Sequence, residues 1–307
     1  MKNLAIKLLC LFLCFTFLPL ISFISSNRNI EDKQFVLFDK AVNKKIKVKE
    51  KEYVLMALCS EMPPTFHKEA LKAQAVAIYT NAIREKIKGS EYIASVDSSK
   101  MLGFTNEQTL KQKWGKSFDT YFKKMKEAVD DTQNLVIKYK NSLIVAAYHS
   151  MSGGKTESAQ NVWGGNAEYL ISKDSEGDSF SPNFEMKTQI EISNVRTTLK
   201  NNIDGIFLPD DNNLIFTEIE YTEAGSVKSL MAGNVKLSGQ KIRELFNLRS
   251  AYFSVGVEGE NMVFTTKGYG HGVGLSQYGA DFMARQGEGF EEILKHYYSG
   301  VQVVERS

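Results

Sequence analysis

Little in this sequence supports a disulfide-stabilised or a nucleic-acid-binding protein. It has three cysteines in 307 residues, and Cys10 and Cys14 lie inside an apolar run near the N-terminus. That leaves Cys59, so no intramolecular disulfide can stabilise the rest of the chain. Lys2 and Lys7 account for two of the 38 basic residues, which leaves 36 basic against 36 acidic residues beyond residue 26. Without a surplus of positive charge, nucleic acid is not expected as a partner.

Repeats, nucleotide-binding motifs and metal-binding motifs are also missing. The sequence has no internal repeat, which argues against a structural or adhesive surface protein. Its glycine cluster lacks the Gly-x-Gly-x-x-Gly spacing, which argues against dinucleotide binding. It has no His-Glu-x-x-His or other standard ligand spacing for a metal.

The first 26 residues differ in composition from the rest of the chain. No charged residue occurs from Leu8 to Ser26. As a helix this run would span about 28 Å, close to the roughly 30 Å hydrocarbon core of a bilayer. Because lysines precede it, we expect a cytoplasmic N-terminus and an exported remainder. The expected organisation is a single-pass anchor in the cell membrane at residues 1–26, inserted through residues 8–26, a tether at 27–33 and an exported domain at 34–307. A cleaved signal peptide is the alternative.

Hydrophobic periodicity in the exported part mixes strands and helices and indicates an α+β fold in a single globular domain. Residues 95–133 are polar and helical with aromatic residues between, and we interpret them as a helical surface lobe. The predicted helices are residues 52–61, 67–88, 239–246, a segment after Ser276, and 290–298. The predicted strands are residues 34–39, 45–49, 135–139, 143–149, 214–222, 227–231, 235–237, 252–257 and 262–266.

Glu61 lies where a helix is forced to end. Pro63 and Pro64 follow it, and the residue before a proline is driven out of the α region. With the apolar side chains of Leu58 and Met62 close in sequence, a carboxyl group fixed there is expected to be partly desolvated; an ordinary surface carboxylate is the alternative. Desolvation raises the pKa of a carboxyl group and suits it to general acid catalysis.

The glycine-rich stretch at residues 268–279 is the most unusual part of the sequence. It contains five glycines around His271. Because glycine loses more backbone entropy on folding than other residues, such a cluster indicates turns with positive φ or a surface where a ligand approaches the main chain closely. The side chains between the glycines, His271, Ser276, Gln277 and Tyr278, can hydrogen-bond a polyhydroxylated ligand.

Four segments, taken together and in order, resemble the stage II sporulation protein D family, which comprises peptidoglycan lytic transglycosylases of spore-forming bacteria. The segments are residues 61–63, 69–77, 148–156 and 268–280. One departure is clear: relatives usually continue the second segment with Arg-Thr-Tyr, where this sequence has Tyr79-Thr80-Asn81. The arginine implicated in function in relatives is therefore absent.

The resemblance implies a lytic transglycosylase that cleaves peptide-stripped glycan strands to 1,6-anhydro-muramyl products during engulfment at the sporulation septum. Glu61 would be the catalytic acid. A cell-wall amidase and a membrane protein of the engulfment machinery are the implied partners. The alternative function is a non-catalytic glycan-binding module that enhances an amidase, since related sequences are described as amidase enhancers. The residues expected to line the glycan groove are Gln74, His149, Ser152, His271 and Gln277.

Some assignments stay open at this point. Gln74 lies on a helix that is apolar all round, so it either bonds to the protein or contacts substrate. Trp163 and Tyr169 either stack on sugar rings or pack in the core. No cofactor is expected. Some relatives allow a zinc site near the His149 segment, but this sequence has no cysteine there, and a remnant pair of His149 and His271 is the alternative.

We expect the N-terminal segment to remain attached to the mature protein. N-terminal sequencing or intact-mass measurement of the membrane-bound protein should find the start of the chain, and external protease should digest most of it. A mature N-terminus near residue 26 would instead indicate a cleaved signal peptide.

Overall fold

The computed structural model describes residues 34–306 and has an α+β architecture. The helices are α1 (Glu50–Glu61), α2 (Lys68–Ile87), α3 (Glu107–Trp114), α4 (Phe118–Asp130), α5 (Ala159–Trp163), α6 (Ile192–Asn202), α7 (Gly239–Leu245), α8 (Gln277–Arg285) and α9 (Phe290–Tyr297). The strands are β1 (Gln34–Asp39), β2 (Lys44–Lys49), β3 (Ala94–Val96), β4 (Leu135–Tyr139), β5 (Ser142–Leu143), β6 (Tyr148–His149), β7 (Glu185–Glu191), β8 (Phe216–Tyr221), β9 (Val227–Ala232), β10 (Val235–Ser238), β11 (Phe253–Glu258), β12 (Asn261–Lys267), β13 (Leu275–Ser276) and β14 (Gln302–Glu305).

Helix α2 lies at the centre of the larger hydrophobic core, which we call the main core. Its alanine and aliphatic residues let neighbouring elements approach on every side, and the side chains from Ala70 to Ile83 are mostly buried. Its first turn is capped by the His67 side chain. The predicted buried helix at 67–88 is confirmed.

Two small sheets flank this helix. β1 pairs with β2 in an antiparallel hairpin and with β3 in parallel, while β4 lies between β14 and β5. The segment interpreted as a helical lobe contains α3 and α4, and it buries Leu110, Met125 and Ala128 completely in the main core.

Residues 185–267 form a second hydrophobic core, which the sequence did not predict. It is built by two three-stranded sheets, in the orders β11–β12–β7 and β10–β9–β8, together with α6 and α7. Phe216, Phe246 and Phe264 pack ring against ring in its interior. The pattern-based analysis missed β7 and α6 because their exposed faces are largely polar.

The predicted hairpin at 135–149 is confirmed only in part. β5 ends at Leu143, and β6 then pairs in parallel with β13 rather than continuing the hairpin. The reason is the Asn81 side chain, which accepts a hydrogen bond from the N–H of Ala146 (2.9 Å) and donates one to its carbonyl (2.9 Å). This amide replaces the strand partner and lets the chain leave the hairpin with its backbone paired.

The expected anchor at 1–26 and tether at 27–33 lie outside the described residues. Between residues 34 and 306, no helix has the length and apolar character needed to cross a membrane.

Replacing Asn81 with alanine should destabilise the fold by about 2 kcal/mol, because it leaves both backbone groups of Ala146 unpaired. Thermal unfolding followed by circular dichroism should show a midpoint several degrees lower. Asn202→Ala is the matched control, since Asn202 is exposed and bonds only within its own helix. Equal midpoints for the two variants would show that the Asn81 amide does not stabilise the exit from the hairpin.

Candidate functional site

The glycine-rich loop packs main chain against main chain with residues 147–157. Gly268, Gly270, Gly272 and Gly274 all have positive φ. A Cβ at Gly274 would lie 2.2 Å from the carbonyl oxygen of Ala147, and one at Gly270 would lie 2.8 Å from the Cβ of His149. The glycines therefore serve both the turns and a close approach. The segment that they approach is another part of this chain.

Two histidines meet at Val273, whose peptide groups lie between them. The N–H of Val273 donates to Nδ1 of His271 (3.0 Å), and its carbonyl lies 3.2 Å from Nδ1 of His149. The His149 ring must therefore carry its proton on Nδ1, whereas neutral His271 carries it on Nε2. The two ring centroids are 5.7 Å apart.

Both histidines are neutral at physiological pH. Burial, with a smaller contribution from His271, lowers the pKa of His149 to about 3. Burial, with Arg243 nearby, lowers the pKa of His271 to about 4. The ring of His149 is almost fully buried, and its Nε2 has no hydrogen-bond partner among the described residues. His271 is only partly buried and reaches the surface.

Glu61 is the last residue of α1, as predicted. Its side chain is partly buried, and burial raises the pKa of its carboxyl group above the ordinary value of 4.5. No hydrogen bond or ion pair to this carboxyl group occurs within residues 34–306. Its electrostatic neighbours are the hydroxyl groups of Tyr53 and Tyr148, whose pKa values are raised mainly by burial and further by Glu61.

Tyr148 connects Glu61 to the glycine-rich loop. Its side chain neighbours Glu61, its backbone hydrogen-bonds the ring of His271, and its strand pairs with Leu275. The sequence analysis did not single out Tyr148, although it lies in one of the four matched segments. Glu61, Tyr148 and His271 therefore form one connected site.

The loop that follows Glu61 is held from outside by charged side chains. Lys124 of α4 donates to the carbonyls of Pro64 (3.1 Å) and Phe66, and Arg285 of α8 donates to that of Thr65 (3.1 Å). The chain direction immediately after Glu61 is thus fixed by side chains of two helices.

Ser152 supports the site from inside the protein. Its N–H and its hydroxyl both donate to Asp178 (2.7 and 2.6 Å), which also accepts from Ser276 (2.5 Å). Asp178 is fully buried, and this burial raises the pKa of its carboxyl group although the hydrogen bonds oppose the shift. Substrate contact by Ser152 stays a prediction that this placement does not favour.

Gln74 and Gln277 are both buried and face each other between α2 and α8. The side-chain amide of Gln277 donates to Oε1 of Gln74 (3.4 Å). This supports bonding to the protein, one of the two roles left open for Gln74. Contact of either residue, or of buried His149, with a ligand stays a prediction.

Trp163 and Tyr169 take different positions. Trp163 is 51% exposed, and its ring centroid lies 5.2 Å from that of His271, so it extends the site along the surface. The hydroxyl of Tyr169 accepts from the N–H of Val145 (2.9 Å), and its ring packs on Tyr139.

Glu69, in a matched segment, and Glu157, directly after one, have carboxyl groups that are bonded to the protein. Glu69 pairs with Lys72 (2.8 Å) and caps the N–H of Phe290 (3.0 Å); these contacts outweigh the opposing effect of burial and hold its pKa below the ordinary value. Glu157 is buried and accepts from Thr222 (2.6 Å) and Asn161 (3.2 Å). Glu61 differs from both, because its carboxyl group is partly exposed, has no bonding partner within residues 34–306, and has a pKa raised by burial.

Tyr79, at the position where relatives usually carry arginine, lies far from Glu61. Its hydroxyl donates to Glu50 (3.0 Å) and accepts from Arg306 (2.8 Å). Glu50 and Glu61 are the two ends of α1, roughly 17 Å apart by helical rise. Tyr79 therefore belongs to a buried structural network in this protein.

The described part of the chain contains no group of three or more His, Cys, Asp and Glu side chains placed to hold a metal ion. His149 and His271 come together, but their Nδ1 atoms both face the backbone of Val273.

Comparison with known proteins confirms the predicted family. Residues 39–139 match a family model described as Stage II sporulation protein. The chain is 36% identical over 259 residues to Stage II sporulation protein D of Bacillus subtilis (strain 168), covering 83% of this chain and 74% of that protein. The protein of the same name from Bacillus amyloliquefaciens has the same identity and coverage. An Amidase enhancer of Bacillus subtilis (strain 168) is 27% identical over 78% of this chain, but over only 39% of its own length. Identity of this extent shows that the chain belongs to the stage II sporulation protein D family.

Proposed function

We propose that this protein is a lytic transglycosylase that cleaves peptidoglycan glycan strands, with Glu61 as its acid and base. The observation that carries the proposal is the state of the Glu61 carboxyl group. It is partly buried, has a raised pKa, and has no hydrogen bond or ion pair within residues 34–306. A carboxyl group held in this way can give a proton to a bound ligand and take one back.

A single carboxyl group is enough for this reaction. Most glycoside hydrolases use two, one as acid and one as nucleophile or base. In a lytic transglycosylase, protonated Glu61 gives its proton to the glycosidic oxygen as the bond to C1 breaks. The C6 hydroxyl of the same muramic acid attacks C1, and the Glu61 carboxylate takes the hydroxyl proton. An internal nucleophile has a high effective molarity, so neither water nor a cofactor is needed.

The surroundings of Glu61 suit a polyhydroxylated polymer. Tyr148 and neutral His271 supply hydrogen-bonding groups without adding charge, and the exposed ring of Trp163 offers a flat surface for a sugar. The buried residues Gln74, His149, Ser152 and Gln277 would act mainly by holding these groups in place.

Family membership supports a narrower proposal. The substrate would be strands already stripped of stem peptides at the sporulation septum, and the partners would be a cell-wall amidase and an engulfment membrane protein. The protein would be anchored in the cell membrane with its bulk outside.

A second candidate is a non-catalytic module that binds glycan and stimulates an amidase. The similarity to the Amidase enhancer of Bacillus subtilis favours it. The two functions differ in whether the purified protein cleaves glycan without an amidase.

Incubation of the purified protein with peptide-free glycan strands should release products about 18 Da lighter than the products of hydrolysis, because the C6 hydroxyl replaces water. Mass spectrometry identifies these 1,6-anhydro ends. Products that borohydride can reduce would indicate hydrolysis, and intact strands that remain bound would favour the amidase-enhancing function.

Replacing Glu61 with glutamine should lower the cleavage rate at least ~10²-fold, because the proton donor is lost while the shape of the side chain is kept. Glycan binding should remain. Glu69→Gln is the matched control, and its cleavage should stay near wild type. Near-normal cleavage by folded Glu61→Gln protein would assign the acid to another residue.

The same variant should also change the pH dependence of stability. Because folding raises the pKa of Glu61, its contribution to stability is fully present below pH 4.5 and is lost as the pH rises through the folded-state pKa. Glutamine has no such loss. The midpoint of Glu61→Gln relative to that of the wild type should therefore rise between pH 4 and pH 7 in thermal unfolding. A difference that stays constant with pH would contradict the raised pKa.

A further inference from the structure

The β1–β2 hairpin has an outward face with a composition unlike the rest of the surface. Lys45 and Lys47 of β2 stand opposite Phe38 and Val36 of β1. The face is therefore a partly exposed apolar centre edged by lysines.

Aromatic and aliphatic groups extend this centre. Tyr92 is 37% exposed and its ring packs on Phe38 with centroids 5.6 Å apart, while Val42 at the hairpin turn is 55% exposed. We call these residues, together with the lysines around them, the hairpin face: Val36, Phe38, Lys40, Val42, Lys45, Lys47 and Tyr92, with Lys44 at its edge beside the turn, since Lys44 stands opposite buried Asp39.

The charge of the hairpin face is positive. Lys40, Lys44 and Lys47 are exposed and make no ion pair within residues 34–306, and Lys45 pairs with Glu91. Among residues 34–306, the other nearby carboxyl groups are engaged: Asp39 is buried and accepts from Ser98, and Asp97 pairs with Lys100. The chain beyond residue 26 is formally neutral, so this positive surface is local.

The position of the hairpin face in the chain suggests its partner. β1 begins at Gln34, eight residues after the uncharged run that ends at Ser26, and Lys86 donates to the carbonyl of Gln34 (3.2 Å). The hairpin is thus the first described element after the apolar run. Lysines around exposed apolar and aromatic side chains are the composition of surfaces that lie on anionic lipid headgroups.

We infer that the hairpin face docks on the anionic headgroups of the membrane in which the chain is anchored. This inference rests on the proposed anchored transglycosylase and adds an orientation to it. α1 starts directly after β2 and ends at Glu61, so docking holds the catalytic carboxyl group at a fixed distance from the bilayer, with helical rise contributing roughly 17 Å between the ends of α1. Lysines also protect an edge strand against aggregation, a role that needs no lipid.

The test places an environment-sensitive fluorophore at the turn of the hairpin. Full-length protein with Cys10→Ser, Cys14→Ser and Val42→Cys is labelled and reconstituted in nanodiscs of phosphatidylcholine alone or mixed with phosphatidylglycerol. Buried Cys59 should not react, since burial raises the pKa of its thiol to about 12. In the control protein, Lys236→Cys replaces Val42→Cys, which places the label on an exposed site of the second core.

In discs containing phosphatidylglycerol, the label at position 42 should shift its emission to the blue and be quenched by headgroup spin labels; the label at 236 should do neither. The triple variant Lys40→Glu, Lys44→Glu, Lys47→Glu should lose the quenching, as should high salt. Each lysine contributes about fivefold to the affinity for anionic lipid, so the loss of three should lower this affinity on the order of 100-fold. The control variant reverses the same number of charges on the second core and should retain the quenching; it carries Lys187→Glu, Lys200→Glu and Lys228→Glu.

Three results would overturn the inference. The label at position 42 could show the same solvent-like emission in both kinds of disc, or its quenching could survive the charge reversal at the three hairpin lysines. An anionic wall polymer that binds the hairpin better than lipid and releases it from the disc would be the third. A circular dichroism melt verifies that each variant is folded, and Lys40→Arg, Lys44→Arg, Lys47→Arg should restore the quenching if charge is the cause. Cleavage of free glycan strands should be unchanged in the hairpin variants, so loss of docking and loss of the proposed catalysis are separate outcomes.

Discussion

The site depends on the close packing of two main-chain segments of this protein, residues 268–275 against residues 147–157. A side chain at Gly270 or Gly274 would collide with the opposite strand, so only glycine permits the contact. Through this contact the peptide groups of Val273 fix opposite tautomers in His149 and His271. The same contact places Tyr148 between the loop and Glu61. Substitution of the glycines would therefore disturb the site without touching a ligand.

Burial around this contact determines which groups are charged. The two histidines lose their charge because their rings are withdrawn from water, and Glu61 becomes a weaker acid for the same reason. The result is a site in which neutral hydrogen-bonding groups surround a weakened acid. It also costs stability, since an unpaired carboxylate at Glu61 opposes folding near neutral pH.

Long-range polar contacts connect the two cores to this arrangement. Glu157 is the last residue of the segment that packs on the glycine-rich loop, and its side chain accepts a hydrogen bond from Thr222 of the second core. Asp178 joins Ser152 to Ser276, the residue that caps α8. These contacts join segments that are far apart in sequence, so the positions of the site residues depend on the complete fold of residues 34–306.

The sequence by itself determined the local elements and the family. Prolines after Glu61 end α1, the alanine-rich pattern predicts buried α2, and alternating residues predict β1, β2, β11 and β12, because these signals act over a few neighbouring residues. Only the tertiary structure decided which side chains reach solvent. Gln74, Ser152 and Gln277 carry the same donors and acceptors whether they face a ligand or Asp178 and each other. The sequence around Asp178 did not indicate its buried hydrogen-bonding role, since its partners Ser152 and Ser276 lie 26 and 98 residues away. Burial and long-range pairing depend on the whole chain, and local composition does not encode them.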